Sequence, residues 1–474
     1  MNLENYLNYE NIKKNKSTIK RIFFYRICGT GMGSSACLLK SAGYEVSGAD
    51  KMFYPPMSTY LEESKIEVHR LDDFELESLK GEVDLIVVGN VVSGKSDEAR
   101  EIEKLGIPFC SFPAAIGALI LDQKKVIGLA GTHGKTTTTY LGIQVFENLK
   151  LNPSYLVGAV LDNMPSALMT DSEYFFIESD EYDSAYFEKF SKFRSYSVDH
   201  LVLTSLEFDH ADIFETLEDI KDEFRAIIPN VKQNIVCSDW DSIIDIYDHM
   251  GENVDFYGEK NVLIKEANKN GTSFEVTFNN SKYDFHTNLI GKHNILNLSA
   301  ILIFALSEGI KKEELNEAIK NLKLAKRRQE EVGSYNGAVI IDDFAHHPTA
   351  VEETIAAIKI KYPDKKINVF LEPGSATARS DIFQDRFISS LREAFKVWII
   401  NPSKKTTAIG HGDLDFNQLV KNLKSDSSKE AYLITELDEL IDEIKSNSND
   451  QSLNLVMSNS TCLGLWSSDF VKSL

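Results

Sequence analysis

The sequence has no C-x-x-C pair, and its five cysteines (Cys28, Cys37, Cys110, Cys237 and Cys462) leave an odd count. Neither fact suits a disulfide framework, so reduced thiols in a cytoplasm are expected. Long apolar runs are missing too, since none approaches the roughly 20 residues that cross a bilayer as a helix. The opening MNLENYLNYENIKKNKSTIKR mixes acidic and amide residues without an apolar core, so neither a signal peptide nor an anchor is expected there. Positive charge is in short supply: 51 Lys and Arg stand against 72 Asp and Glu, a formal net charge of -21. That balance argues against nucleic acid or an anionic membrane as a default partner, and an anionic substrate would need a local basic pocket. There is no internal repeat of solenoid length and no low-complexity run.

What is present fits an ordinary globular chain, with 43% hydrophobic and 26% charged residues. At 474 residues it is too long for one core, and about 150 residues per domain suggests roughly three domains. Short apolar runs alternate with helical patterns: FFYRI, EVSGAD and VDLIVVGN in residues 21–118, then VIGLAG, YFFI and HLVLT, then AVII, INVFL, VWII and LNLVM after KRRQEE. Such alternation predicts an α/β chain of parallel sheets with crossover helices. Nearly every run ends in a polar or glycine-rich cluster: GTHGKT, ESDEYD, DDFAHH, EPGSAT and SNST. Open parallel sheets bind ligands beyond the carboxyl ends of their strands, so the chemistry is expected there.

GLAGTHGKTTTTY (128–140) carries the GK[ST] end of a phosphate loop, yet Leu129 stands where G-x-x-x-x-G-K-[ST] has its first glycine. Gly131 and Gly134 would turn backbone N–H groups, those of Thr132 and His133 among them, toward phosphate oxygens. The following helix, from Lys135, Thr136 and Thr137 onward, adds its positive N-terminal end and buries Leu141, Val145, Phe146 and Leu149. Lys135 would neutralise the outer phosphates and the Thr136 hydroxyl would reach Mg²⁺. A glycine turn without a ligand is the bland alternative, disfavoured by the strand before and the helix after.

ICGTGMGSS (27–35) offers Gly29, Thr30, Gly31, Met32 and Gly33 in a second loop, with Ser34 breaking the strict G-x-G-x-x-G and Asp50 ending the next strand. Alone it admits a nicotinamide site or close-packed glycines; a second phosphate loop about a hundred residues on favours a nucleotide-linked substrate. ESDEYD crowds Glu178, Asp180, Glu181 and Asp183, which a cation would neutralise unless the loop is simply solvated. LEFDHADIF (206–214) supplies Glu207, Asp209, His210 and Asp212, with His210 open to metal ligation or to a helix-start role. In GKHNILNLSA, Asn294 and Asn297 share a helix face, where paired amides read an adenine edge or cap the helix. KRRQE (326–330) is a solvated linker or a source of arginines for anions, and DDFAHHPTA (342–350) packs two carboxylates and two histidines before a helix-starting Pro348.

Taken in order, GTHGKTTTT, the E-x-D-E cluster, the DH pair, G-x-HN-x-x-N and DD-x-x-HHP resemble the Mur ligases over residues 21–464, where Leu129 is the normal residue. The resemblance implies a three-domain Mur ligase-like architecture: a Rossmann-like, UDP-N-acetylmuramate-binding domain at 21–118, a P-loop ATPase-type domain at 119–325 and a Rossmann-like ligase domain at 326–474. It implies ATP and Mg²⁺ as cofactors, and amide-bond formation through an acyl phosphate on the sugar's lactyl carboxylate. Residue by residue, Lys135 and Thr136 match phosphate and first-Mg²⁺ contacts, Glu178 its carboxylate ligand and His210 the second Mg²⁺ ligand. Asn294 and Asn297 match adenine contacts, Arg328 a phosphate contact and Asp343 the ribose contact. His346 and His347 fall near the reacting centre without an assigned role. Gly29 to Gly33 would wrap the UDP diphosphate, with Asp50 beside them, and YPPMST, including Ser58, would lie near the uridine.

YPPMSTYLE, ESDEYDSAYFEKFSKF and LEFDHADIF are most similar to the branch that adds a murein tripeptide in cell-wall recycling, with Tyr182 and Phe208 distinguishing it from the branch that adds L-alanine. Three departures stand out: Ser205 replaces an asparagine, Gly374 an arginine and SNSTCLG (458–464) a glycine-rich loop, with Arg379 available as a substitute cation. The last two fall in the expected acceptor domain and leave a rival open, a ligase-like protein that binds nucleotide sugar without turnover. Retention of Lys135, Thr136, Glu178 and His210 argues against that rival.

Overall fold

The apolar runs become strands in the computed structural model, which describes residues 2–159, 161, 164–248, 253–426 and 429–474. Two units result: Met1–Leu206 with Ile220–Tyr257 and Ile303–Glu308, and Glu207–Asp219 with Gly258–Leu302 and Gly309–Leu474. The first unit opens with β1 (Arg21–Tyr25), β2 (Glu45–Asp50), β3 (Glu67–Arg70), β4 (Leu85–Val88) and β5 (Phe109–Cys110), all parallel in the order β3-β2-β1-β4-β5. Ile22, Phe24, Val87 and their neighbours are buried on both faces, so β1 and β4 read as unbroken apolar runs. The strand order reverses between β1 and β4, and the glycine loop after β1 lies at that switch point.

The unit's second sheet is built from β6 (Lys125–Ala130), β7 (Ser154–Leu156), β8 (Ala167–Leu168), β9 (Tyr174–Glu178), β12 (His200–Leu203), β13 (Gln233–Cys237) and β14 (Val254–Tyr257), while β10 (Asp183–Ala185) and β11 (Glu188–Ser191) make a separate hairpin. Its order is β14-β13-β12-β6-β9-β7-β8, antiparallel only at β8. Because β6 lies between β9 and β12, Leu129 pairs with Glu178 and Ala130 with Leu203. The phosphate loop is thereby flanked by ESDEYD on one side and by Thr204 and Ser205 on the other. This adjacency comes from topology and no periodicity in the sequence encodes it.

The second unit holds an antiparallel meander of β15 (Val262–Asn268), β16 (Gly271–Phe278) and β17 (Ser281–Thr287), which has no counterpart among the expected apolar runs. Its larger sheet runs β18 (Glu330–Tyr335), β19 (Ala338–Asp343), β23 (Ser452–Ser458), β20 (Lys366–Glu372), β21 (Lys396–Ile400) and β22 (Glu430–Ile434) in spatial order, with only β18 antiparallel. Alternate residues feed two cores: Ile341, Val369, Leu455 and Ile399 on one face, Ile340, Phe370, Val456 and Trp398 on the other. The ends of β19, β23 and β20 are neighbours, which brings Asp343, Ser458 and Glu372 to one sheet edge. All five cysteines are buried, and no helix among the described residues is long and apolar enough to cross a membrane.

Candidate active site

In the first unit the phosphate loop is held from both flanks. Ser205 takes the Thr132 N–H on its carbonyl at 3.2 Å and the His133 N–H on its hydroxyl at 2.8 Å. Thr204 donates to the His133 carbonyl at 2.6 Å. Gly131 has φ +129°, and a β-carbon on it would fall 2.5 Å from Thr204 Oγ1 and 2.9 Å from Ser205 N. Gly134, at φ +83°, caps the helix Lys135–Asn148. Leu141, Val145 and Phe146 of that helix are fully buried as expected, while Leu149 is its half-buried C-cap. Thr138 and Thr139 donate back to the Gly134 and Lys135 carbonyls at 2.8 Å, and Thr137 is buried beside them.

Lys135 donates to Glu181 Oε2 at 2.6 Å and lies 3.8 Å from Asp180. Burial would lower the lysine's pKa, but Glu181, Asp180 and Glu178 outweigh it and hold the ammonium protonated, with its pKa raised. Thr136 donates to Glu178 Oε1 at 2.7 Å, and Glu178 Oε2 accepts the Gly158 N–H at 2.8 Å. Asp180 accepts a second lysine, Lys192, at 2.7 Å. The loop therefore carries two cations interleaved with three carboxylates, and an anion entering it would compete with carboxylates for positive charge.

The other glycine loop lies in the same unit. Gly29 caps the helix Thr30–Ser41. Gly31 sits against the Phe112 ring, and a β-carbon on Gly33 would fall 3.2 Å from the Ile27 carbonyl and collide with Met57, the residue before Ser58; Met32 is buried in the helix that Gly29 caps. Asp50 faces inward, accepting the Cys28 N–H at 2.8 Å and facing Arg26 at 3.5 Å, so it braces the loop.

In the second unit the segment Glu207–Asp219 packs with the larger sheet's strand ends. Ala211 N–H donates to Thr377 Oγ1 at 3.1 Å, and Ile409 N–H to the Ala211 carbonyl at 2.6 Å. Asp209 accepts the His210 N–H at 2.8 Å, and His210 holds φ +56°, an uncommon value for a residue with a side chain. Burial would raise the Asp209 carboxyl, but His210, His346 and His347 around it, with a hydrogen bond from Thr377, hold it well below the ordinary range. The His346 ring lies 2.9 Å from the Phe344 carbonyl. His347 caps the helix Pro348–Lys361, taking the Thr349 N–H at 3.3 Å, and lies 3.6 Å from Glu207.

Several other expected residues are engaged within this unit. Asp343 accepts the Gln329 and Ala345 N–H groups at 2.8 Å each and Thr354 at 3.3 Å. Arg328 stacks over Phe344 at 4.8 Å. Asn294 donates to the Ile290 carbonyl at 2.8 Å, and Asn294 and Asn297 are both buried. Beneath SNSTCLG, Glu372 takes the Ser458 hydroxyl and, at 2.9 Å, the Cys462 N–H. A β-carbon on Gly374 would fall 2.2 Å from Asn459 Oδ1, so the glycine makes room for that asparagine. Arg379 bonds the Gly374 carbonyl.

Three family descriptions match in chain order: "Mur ligase family, catalytic domain" at residues 21–124, "Mur ligase middle domain" at 129–305 and "Mur ligase, glutamate ligase domain" at 327–460. The chain is 34% identical over 401 residues to the UDP-N-acetylmuramate–L-alanyl-γ-D-glutamyl-meso-2,6-diaminoheptandioate ligase of Escherichia coli (strain K12), covering 81% of this chain and 85% of the relative. It belongs to the Mur ligase family. A UDP-N-acetylmuramate–L-alanine ligase of Lactobacillus acidophilus is 30% identical over 438 residues, 91% of this chain and 94% of that relative. The solved murein peptide ligase of Psychrobacter arcticus 273-4 superposes with a TM-score of 0.66 at 26% identity, covering 94% and 97% of the two chains.

In this Mur ligase two basic residues, Lys192 and Arg386, reach their partners without any local signal in the sequence. Lys192 meets Asp180 only because the β10–β11 hairpin returns it across twelve residues to the acidic cluster. Arg386 meets Glu207 across 179 residues, a separation that no local pattern reveals. Ser205, which stood out only as a replacement for asparagine, carries two of the phosphate loop's N–H groups.

Proposed function

We propose that this Mur ligase joins the tripeptide L-alanyl-γ-D-glutamyl-meso-diaminopimelate to UDP-N-acetylmuramate in the cytoplasm, using ATP and Mg²⁺, in peptidoglycan recycling. The observation that carries the reading is the meeting of Lys135 and Thr136 with Glu181 and Glu178, in a chain 34% identical to a relative named for that acceptor. Activating a carboxylate with ATP brings two anions together, so the protein's main task is to supply positive charge and N–H donors where charge develops. Lys135 would transfer its charge from Glu181 to the outer phosphate oxygens, and the loop Gly131–Thr137 would cradle the rest. His210 would ligate a second Mg²⁺; Thr136 and Glu178, hard oxygen donors of the kind Mg²⁺ takes, would hold the first. Bound there, the ion would neutralise charge shared by adjacent phosphate groups.

Asn294 and Asn297 would meet the adenine, Arg328 a phosphate, and Asp343 the ribose. Gly29 to Gly33, Asp50 and Ser58 would serve the UDP end. His346 and His347 are proposed to lie near the reacting carboxyl. The domains would divide at 21–118 for the UDP-sugar, 119–325 for ATP and 326–474 for ligation. An L-alanine acceptor is the second reading, supported by the 30% identical Lactobacillus relative.

The experiment supplies ATP, Mg²⁺ and UDP-N-acetylmuramate with either the tripeptide or L-alanine, and measures phosphate release and product mass. Tripeptide-dependent product is expected. Alanine-dependent product would establish the second reading, and UDP-sugar binding without turnover would leave a nucleotide-sugar-binding protein.

A further inference from the structure

We propose that Arg386 recognises a carboxylate of the acceptor, an inference that rests on the ligase reading above. In a chain of net charge -21, an acidic acceptor must find its positive charge locally. Most arginines near the strand ends of the second unit are already committed. Arg327 donates from Nε to Asp342 at 3.0 Å and from Nη2 to the Ser458 and Ser460 carbonyls. Arg379 is tied to the Gly374 carbonyl, and Arg328 lies over the Phe344 ring.

Arg386 is held differently. Its Nη1 donates to Glu207 Oε1 at 3.0 Å, and its Nη2 to Thr349 Oγ1 at 3.0 Å. Thr349 in turn donates to Glu207 Oε2 at 2.7 Å, closing a three-residue ring. That ring fixes the guanidinium plane while spending only part of its donor set, because Nε and one N–H on each terminal nitrogen remain. The side chain is 51% exposed, whereas Glu207 beneath it is 14% exposed. Glu207 is also 3.6 Å from His347, so the carboxylate that holds the guanidinium also meets one of the histidines whose charge acts on Asp209. An arginine pre-set by its neighbours loses little freedom when it takes a carboxylate, and its planar fork matches one.

The ring has a second possible use, which the test must separate: Arg386 could serve only to position Glu207 and His347. The test measures KM and kcat for acceptor, ATP and UDP-N-acetylmuramate in the wild type, Arg386→Ala and Arg386→Lys, using the free acceptor and its carboxamide form. Thermal melts check that the variants fold. We expect Arg386→Ala to raise acceptor KM roughly 10- to 100-fold, as befits a lost charge-assisted bond, with the other two KM values within about twofold. Arg386→Lys should recover part of the loss. On the carboxamide acceptor, wild type and Arg386→Ala should converge. An equal loss on free and carboxamide acceptors, or a fall in kcat with acceptor KM unchanged, would overturn the proposal in favour of positioning. A folded wild type that makes product with neither tripeptide nor L-alanine would overturn the ligase reading, and this inference with it.

Discussion

At Gly131 and Lys135 the phosphate loop exposes two kinds of constraint, one steric and one electrostatic. The backbone at Gly131 has φ +129°, and the atoms facing its missing β-carbon include the Ser205 carbonyl at 2.8 Å and the Ser205 nitrogen at 2.9 Å. Main chain cannot swing aside as a side-chain tip can, so Gly131→Ala should shift the loop and cost about 1–3 kcal/mol. Urea melts and the KM for ATP should both worsen; an unchanged ATP KM would mean that the loop does not hold ATP. Lys135 is a different case, because its removal leaves Glu181 buried without its cation. Breaking a buried pair from one side destabilises by several kcal/mol, whereas removing both charges costs much less. Lys135→Ala should therefore lose turnover and stability together. The pair Lys135→Ala with Glu181→Gln should regain stability, stay inactive and still bind UDP-N-acetylmuramate in calorimetry. A double variant that turns over would remove Lys135 from the chemistry.

Among the elements, the parallel strands were the most legible, because strands buried on both faces spell out short apolar runs such as YFFI and LNLVM, while FFYRI overlaps β1 only to Tyr25, where Arg26 turns to φ +68°. Their polar ends were legible for the same reason, as the places where the runs stop. The meander β15–β17 was not, since its burial alternates along β16 and its sequence mixes Lys, Glu and Asn into the pattern. Contacts fixed by strand order, such as Ser205 beside His133, were also invisible to periodicity. So was the role of residues 2–20, which precede the family match at 21 and thread along the first unit. There the Leu7 N–H donates to the Phe109 carbonyl and the Phe109 N–H to the Asn5 carbonyl, adding a short edge pairing beside β5. Tyr6 donates to Glu188 Oε1 at 2.8 Å, and Ser111 donates to Glu188 Oε2 at 2.5 Å. Burial pushes the Glu188 carboxyl up, and these two hydroxyls draw it back. Tyr6→Phe would leave a carboxylate oxygen that is 1% exposed at the residue level without its donor, at a cost of about 1–3 kcal/mol. Tyr9→Phe loses a 3.2 Å bond to Asp122 and the acceptor for the Ser197 hydroxyl, but both partners are less buried than Glu188, so it should cost less. Chemical denaturation of the two variants tests the ranking, and a Tyr6→Phe curve that overlays wild type would show that the segment contributes no anchoring through Glu188.

Over the whole molecule, the carboxylates divide by the sign of their contribution to stability. Burial opposes ionisation of Asp84, Glu98 and Glu308, but Arg21, the pair Lys51 and Arg26, and Lys125 outweigh it and leave each pKa below its ordinary value. Such groups stabilise the fold at neutral pH and lose that contribution as pH falls. Asp342 has the opposite sign. Burial raises its carboxyl to about 7 despite the Arg327 guanidinium at 3.0 Å, and its Oδ1 has no hydrogen-bond partner among the described residues. Between the unfolded value of 3.8 and about 7, the folded state binds the extra proton. Its stabilising effect is complete below that window and is lost as pH rises through it, by at most about 1.4 kcal/mol per pH unit. Asp342→Asn keeps an acceptor for Arg327 and carries no proton to lose. Its stability relative to wild type should therefore climb from about pH 4 to 7 and level off above, even while acid weakens both proteins through their paired carboxylates. Urea denaturation at pH 5 and pH 7.5 measures the difference, and an equal gap between variant and wild type at both values would place Asp342 among the ordinary ionised carboxylates.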